Sequence, residues 1–195
     1  TVRPPQARKE KPKVSAFTSA KIDRIVELRP DLVLGFSDLQ ADIAAELVRA
    51  GIEVHVFNHR SVAEILRMIA TLCAMVGCAA KAQVLVAELS AGLDSVRRSA
   101  AGLPRRPRVY FEEWDEPQIS GIRWVSELVT IAGGEDCFPE LACEPLAKNR
   151  IIADPLEVRR RAPEVIFGSW CGKKFRPEHV AARPGWGDVP AVRDG

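Results

Sequence analysis

The 195-residue chain has no apolar run approaching the roughly 20 residues that a membrane-spanning helix needs, so no transmembrane helix is expected within it. It contains no P-loop, no Gly-x-Ser-x-Gly elbow and no Gly-x-Gly-x-x-Gly turn, which removes sequence support for phosphate-cradling, serine-hydrolase and dinucleotide-binding sites. Charge of one sign is also missing: 28 basic residues face 26 acidic ones, with no basic stripe interleaved with aromatics, so nucleic acid is not an expected partner. The five cysteines (Cys73, Cys78, Cys137, Cys143, Cys171) are odd in number and follow no zinc spacing. Cys73 and Cys78 lie in an apolar helical pattern and read as core residues, whereas Cys137 and Cys143 could pair locally in an exported protein. No two of His55, His59 and His179 have ligand spacing, so no metal site and no resident cofactor are expected. Glu112, Glu113, Asp115 and Glu116 form an acidic run that reads as a solvated loop before it reads as paired carboxylates or hard-metal ligands. Cys171 beside Trp170 has no histidine near it in sequence to activate a thiolate.

What the chain does contain is a phrase used twice. Residues 29–36 read Arg-Pro-Asp-Leu-Val-Leu-Gly-Phe and residues 161–168 read Arg-Ala-Pro-Glu-Val-Ile-Phe-Gly. Each follows a short amphipathic helix. Proline cannot continue a helix and pushes its predecessor out of the α region. The apolar run that follows suits a strand buried on both faces of a parallel sheet. Helical periodicity at Leu39, Ile43 and Leu47, and again at Val62, Ile65, Ile69, Leu72 and Val76, alternates with short β-branched runs, the pattern of parallel α/β structure. Residues 79–101 carry Leu85, Leu89, Leu93 and Val96 on one stripe and predict a helix of about 30 Å, too long for a crossover in a small lobe. The expected organisation is therefore α/β with two lobes of parallel-rich sheet joined by one long helix: an N-terminal lobe over 1–78, the linking helix over 79–103 and a C-terminal lobe over 104–195. Both lobes are expected to be incomplete, because the chain opens and stops mid-pattern. The tail from Arg183 reads as loop running into an edge strand.

In open parallel sheets ligands lie beyond the carboxyl ends of strands. Four such ends are predicted, at Phe36-Ser37-Asp38, Phe57-Asn58-His59, Glu112–Asp115 and Gly168–Cys171, and Phe36, Phe57, Trp114 and Trp170 gather there. Exposed aromatics flanked by polar groups suit a large, flat, partly apolar ligand held in a cleft between the lobes.

Three segments carry a resemblance: PKVSAFTSAKIDRIVELRPDLVLGF (12–36), VYFEEWDEPQISGIRWVSELVTIAGGED (109–136) and SWCGKKFRPEHVAARPGWGDVPAVRDG (169–195). They resemble the cobalamin (vitamin B12)-binding proteins of bacterial ABC importers, within the wider periplasmic substrate-binding family for B12, haem and ferric siderophores. The resemblance implies a helical-backbone, two-lobed substrate-binding protein without enzymatic activity, here lacking the family's first strand–helix unit and closing segment. It places ligand-contacting positions at Phe17, at Phe36 and near Gln118, with Trp114 close by; the strand-end aromatics add Trp170, and Gln118 and Arg123 are the polar groups expected to fix the ligand's orientation. It departs from the family pattern at Arg150, near which other members offer a tryptophan. It also implies one surface acid per lobe that docks onto the arginines of a permease: Asp23, and in the C-terminal lobe Leu156 or Glu157, of which only Glu157 is acidic. Asp23 and Glu157 precede their prolines by seven and six residues. The expected partners are thus a corrinoid or iron-chelate ligand and an ABC permease. The protein is expected to act as a monomer, periplasmic or lipid-anchored at the cell surface. The alternatives are a haem or ferric-siderophore carrier, disfavoured for haem by a single tyrosine (Tyr110) placed mid-strand, and a cytoplasmic corrinoid-handling protein or enzyme.

Overall fold

The computed structural model describes residues 5–195. The chain divides into two compact units, one running to His59 and the other from Arg60 to Gly195.

In the first unit a helical turn at Pro5–Glu10 (α1) precedes helix α2 (Ile22–Glu27), which delivers strand β1 (Val33–Phe36). Helix α3 (Ala41–Arg49) crosses over to β2 (Val54–Phe57), and the strands pair in parallel from Val33↔Val54 to Phe36↔Phe57. Arg29, just before Pro30, adopts φ +46°, the left-handed conformation that ends the helix and turns the chain into the strand. The expectation that this strand is buried on both faces does not hold. Leu34 is 43% and Phe36 40% exposed while Val33 and Gly35 turn inward, the alternation of a sheet covered on one side.

In the second unit helix α4 (Val62–Met75) starts from a complete capping box, Ser61 and Glu64 each bonding the other's backbone N–H. Helix α5 (Ala79–Ala101) packs on it. The predicted long helix is therefore present, and α4, expected with the N-terminal lobe, belongs to the second unit together with α5. The central strand of the following sheet is β3 (Arg108–Asp115). It pairs antiparallel with β4 (Gln118–Ser120) on one side. Beyond helix α6 (Arg123–Ile131) the chain returns as β5 (Glu135–Asp136), parallel to the start of β3. A short helix α7 (Pro139–Ala142) and helix α8 (Leu156–Arg161) then lead to β6 (Val165–Gly168), parallel to β3 from Val109↔Val165 to Glu112↔Gly168. Ala162, before Pro163, again has φ +46°, so the repeated phrase is a repeated backbone. The core gathers Tyr110, Phe138, Val158, Trp170, Val180, Trp186 and Val189.

The tail forms no edge strand. It holds helix α10 (Pro190–Arg193), preceded by helix α9 (Pro177–Ala181), each opened by a proline at a position where the missing N–H costs nothing. Val180, Trp186 and Val189 anchor it in the core. Among the described residues no helix is long and apolar enough to cross a membrane, and all five cysteines are free, Cys137 buried and Cys143 exposed rather than paired.

Candidate functional site

Each unit brings chemistry to the carboxyl ends of its parallel strands. In the first unit, Ser37 leaves β1 with φ +74° and donates its N–H to Phe57 O at 2.8 Å. The Asp38 N–H reaches Asn58 Oδ1 at 3.3 Å, so the two strand ends are tied together. Gln40 then works in both directions. Its Oε1 accepts the Phe36 N–H at 2.7 Å and its Nε2 donates to Phe17 O at 2.7 Å. This clamp places the Phe17 and Phe36 rings 6.0 Å apart, with His59 5.0 Å from Phe36. Phe17 is 52% exposed. Two aromatic faces are thus open to solvent yet fixed through their backbone, an arrangement suited to stacking on a flat apolar surface.

In the second unit the acidic run expected to be a solvated loop is mostly structural. Glu112 is fully buried. It accepts from Tyr110 Oη at 3.1 Å, Trp170 Nε1 at 2.9 Å, and both Arg183 terminal nitrogens at 2.6 and 2.9 Å. Glu113 accepts from Arg150 at 2.6 Å, and buried Arg150 also donates to the carbonyls of Ser120, Glu144 and Pro145. The reason is extended geometry: alternate side chains of a strand face opposite sides, so acids adjacent in sequence meet different surroundings. Burial pushes the Tyr110 hydroxyl far above its ordinary range, and Glu112 adds to the effect. The only tyrosine is therefore an inward-facing donor.

At the strand end Trp114 and Trp170 do come together, across Lys173. The ammonium lies 4.3 Å from the Trp114 ring centre and 5.0 Å from that of Trp170, close enough for cation–π attraction, and pairs with Asp115 at 2.5 Å. Burial raises the Asp115 carboxyl, but Lys173, a backbone N–H and Arg183 outweigh it and leave the group below its ordinary value. Trp114 donates its indole N–H to Glu116 O at 2.8 Å and stays half-buried. Trp170, by contrast, is 6% exposed, a core ring under Phe175 at 5.0 Å rather than an open face. A Cβ at Gly168 would lie 1.8 Å from the Phe175 ring, so only glycine lets that ring close over the end of β6. Gln118 is buried in β4, opposite Asp115, and its side-chain oxygen has no hydrogen-bond partner among the described residues.

Arg123 stands apart from these aromatics in a different constellation. At the start of α6 it pairs with Glu127 at 3.0 Å, whose other oxygen accepts the Val62 N–H at 2.7 Å. Both residues line a groove of about 740 Å³ with Val62, Leu66, Leu93 and Ile131. Of the two surface acids, Asp23 is exposed on α2, while Glu157 is held by Arg160 at 2.6 Å and Arg161 at 2.9 Å, which draw its carboxyl below the usual range. Gln40, Lys173 and Arg183 were not singled out by sequence reasoning. Lys and Arg in a loop-rich tail, and a glutamine at a helix start, carry no pattern of their own.

Against known proteins, a family profile described as periplasmic binding protein matches residues 1–195. The vitamin B12-binding protein of Vibrio campbellii is 26% identical over 168 residues, covering 85% of this chain and 59% of the relative; the chain thus spans less than two thirds of that relative's length. The crystal structure of the periplasmic vitamin B12-binding protein BtuF of Vibrio cholerae superposes with a TM-score of 0.72 at 21% identity, covering 98% of this chain and 72% of the other. The periplasmic haem-binding protein RhuT from Roseiflexus sp. RS-1 superposes with a TM-score of 0.76 at 20% identity, covering 98% and 74%.

Proposed function

The chain belongs to the periplasmic binding protein family, and from that premise we propose that it is the solute-binding component of an ABC importer, carrying cobalamin or a related corrinoid outside the cytoplasm to a permease. The observation that carries the reading is the pair of solvent-open rings, Phe17 and Phe36, locked by Gln40 at the ends of β1 and β2. A corrin presents a broad, nearly planar face with apolar edges and amide side chains. Burying each ring against such a face is worth about 1.5–3 kcal/mol. Within the second unit, the half-buried Trp114 with the Lys173 ammonium over its ring is a second aromatic feature at a strand end. The curated relatives named as vitamin B12-binding support this cargo. No bond is made or broken in such a role. The proposed docking acids are Asp23 and Glu157. Asp23 is open, whereas Glu157 must exchange two internal arginines for those of a permease.

A haem carrier is the second reading, favoured by His59 beside Phe36 and by haem-binding structural neighbours. His59 is the candidate axial ligand in this reading, Tyr110 being fully buried against Glu112. Calorimetric titration of the chain with cyanocobalamin, haem and a ferric siderophore tests both. Saturable one-to-one binding of cyanocobalamin is expected. Binding of haem alone, with a Soret shift lost in His59→Ala, would replace the corrinoid with haem. Silence toward all three would end the carrier reading for this chain.

A further inference from the structure

Helix α4 ends in a Schellman turn whose two contact positions are both cysteine. In this motif the residue after the left-handed one donates its N–H back to the third-last helical carbonyl, and the side chains of those two residues usually make an apolar contact. Here the Cys78 N–H donates to Cys73 O at 2.7 Å and the Gly77 N–H to Ala74 O at 3.2 Å, with Gly77 at φ +72°. Standard bond lengths around that hydrogen bond hold the two Cα atoms within about 7 Å of each other, the span a disulfide can bridge. Both side chains are half-buried, not sealed in the core. The Cys78 thiol next to it holds the Cys73 thiol above its ordinary value, and Lys81, one turn into α5, acts in the opposite sense.

We infer that Cys73 and Cys78 form a disulfide staple across the α4–α5 corner when the protein meets a disulfide oxidant. The chemistry is thiol–disulfide exchange. The thiolate of Cys78 attacks one sulfur of a low-molecular-weight disulfide such as oxidised glutathione and expels one thiolate. The Cys73 thiolate then displaces the second thiol from the mixed disulfide. Two protein thiols lose two protons and two electrons, and one disulfide oxidant becomes two thiols. The turn already brings the two residues within the span that a disulfide bridges. The remaining cysteines provide contrasts within the same molecule. Cys137 is buried with its thiol pushed up to about 12, and Cys143 and Cys171 are exposed with no cysteine beside them.

Trypsin releases both residues in one peptide, Met68–Lys81, with no internal Lys or Arg. The folded chain is equilibrated with oxidised glutathione, alkylated in denaturant and analysed by mass spectrometry. The expected result is a Met68–Lys81 peptide lighter by two hydrogens, unalkylated, and converted to the doubly alkylated form by reduction. Glutathione adducts on Cys143 and Cys171 show that the oxidant reached the protein. In Cys73→Ser the same peptide should carry one glutathione on Cys78, since the resolving thiol is gone. Two separate adducts on the wild-type peptide, or two alkylated thiols while Cys143 and Cys171 are glutathionylated, would overturn the inference. The test is independent of cargo.

Discussion

The segments 22–36 and 156–168 run the same course with opposite outcomes. Each is a six-residue helix, a non-glycine residue at φ +46° before proline, and a four-residue strand in parallel pairing. The first ends on Phe36, whose ring stays 40% exposed beside Phe17. The second ends on Gly168, opposite the fully buried Glu112 and closed over by Phe175. The backbone phrase only delivers a strand end. The residue standing there, and what distant chain it meets, decides whether that end presents a face or seals a core.

The contrast can be broken most forcefully at the sealed end. Arg183→Ala leaves the Glu112 carboxylate buried without its cation, and about 3–5 kcal/mol of stability should be lost, read by chemical denaturation. Gln40→Ala, which removes neutral hydrogen bonds at the open end, should cost about 1 kcal/mol; equal losses would erase the distinction. Next come the glycines. Gly168→Ala drives a methyl into Phe175, itself packed on Trp170, at a cost of about 1–3 kcal/mol. Gly35→Ala meets the Val56 methyls at 3.1 and 3.7 Å and Gln40 at 3.4 Å, and its melting temperature should fall less. Phe36→Ala should weaken corrinoid binding about tenfold, or about 1.4 kcal/mol, with little change in denaturation midpoint, because an exposed ring contributes little to folding.

Smaller still is the strain both segments share. Ala162→Gly and Arg29→Gly each relieve a left-handed non-glycine residue and should gain about 0.5–1 kcal/mol, measurable as matched upward shifts in midpoint. Last is the pH response of the sealed end. The Asp115 carboxyl lies below its ordinary value, so its pairing with Lys173 is complete above the unfolded aspartate value of about 3.9. That pairing disappears as pH falls through the lower folded value. The carboxyl carbon shift of Asp115 should titrate with a midpoint below about 3.9, and Lys173→Met should move it upward.

Much of the architecture was legible in the sequence because punctuation residues mark it. Pro30 and Pro163 stop helices, Gly51 and Gly77 end the next two with positive φ, and the uninterrupted periodicity from 79 to 101 matches α5 residue for residue. The tail from Arg183 departs from the expected edge strand although its signal is present: Pro190 sits where prolines open helices. The acidic run misled for a different reason. Glu112 meets Arg183 71 residues away and Glu113 meets Arg150 37 residues away, so the neutralising partners lie outside any local window. The aromatic positions Phe17 and Phe36 were legible as a pair only through family resemblance. The glutamine that holds them was not, since one polar residue at a helix start looks like any surface position.

The Glu112–Arg183 pair carries a consequence for descent. Replacing either member alone leaves the other charged and out of water, so a lineage has no cheap single step away from this arrangement. It can keep both residues or exchange both, as an acid–base pair gives way to two apolar side chains of similar volume. Among relatives of this chain the two positions should therefore change together, and a sequence holding only one of them should carry its compensating change among the indole, phenol and guanidinium groups that share the same carboxylate.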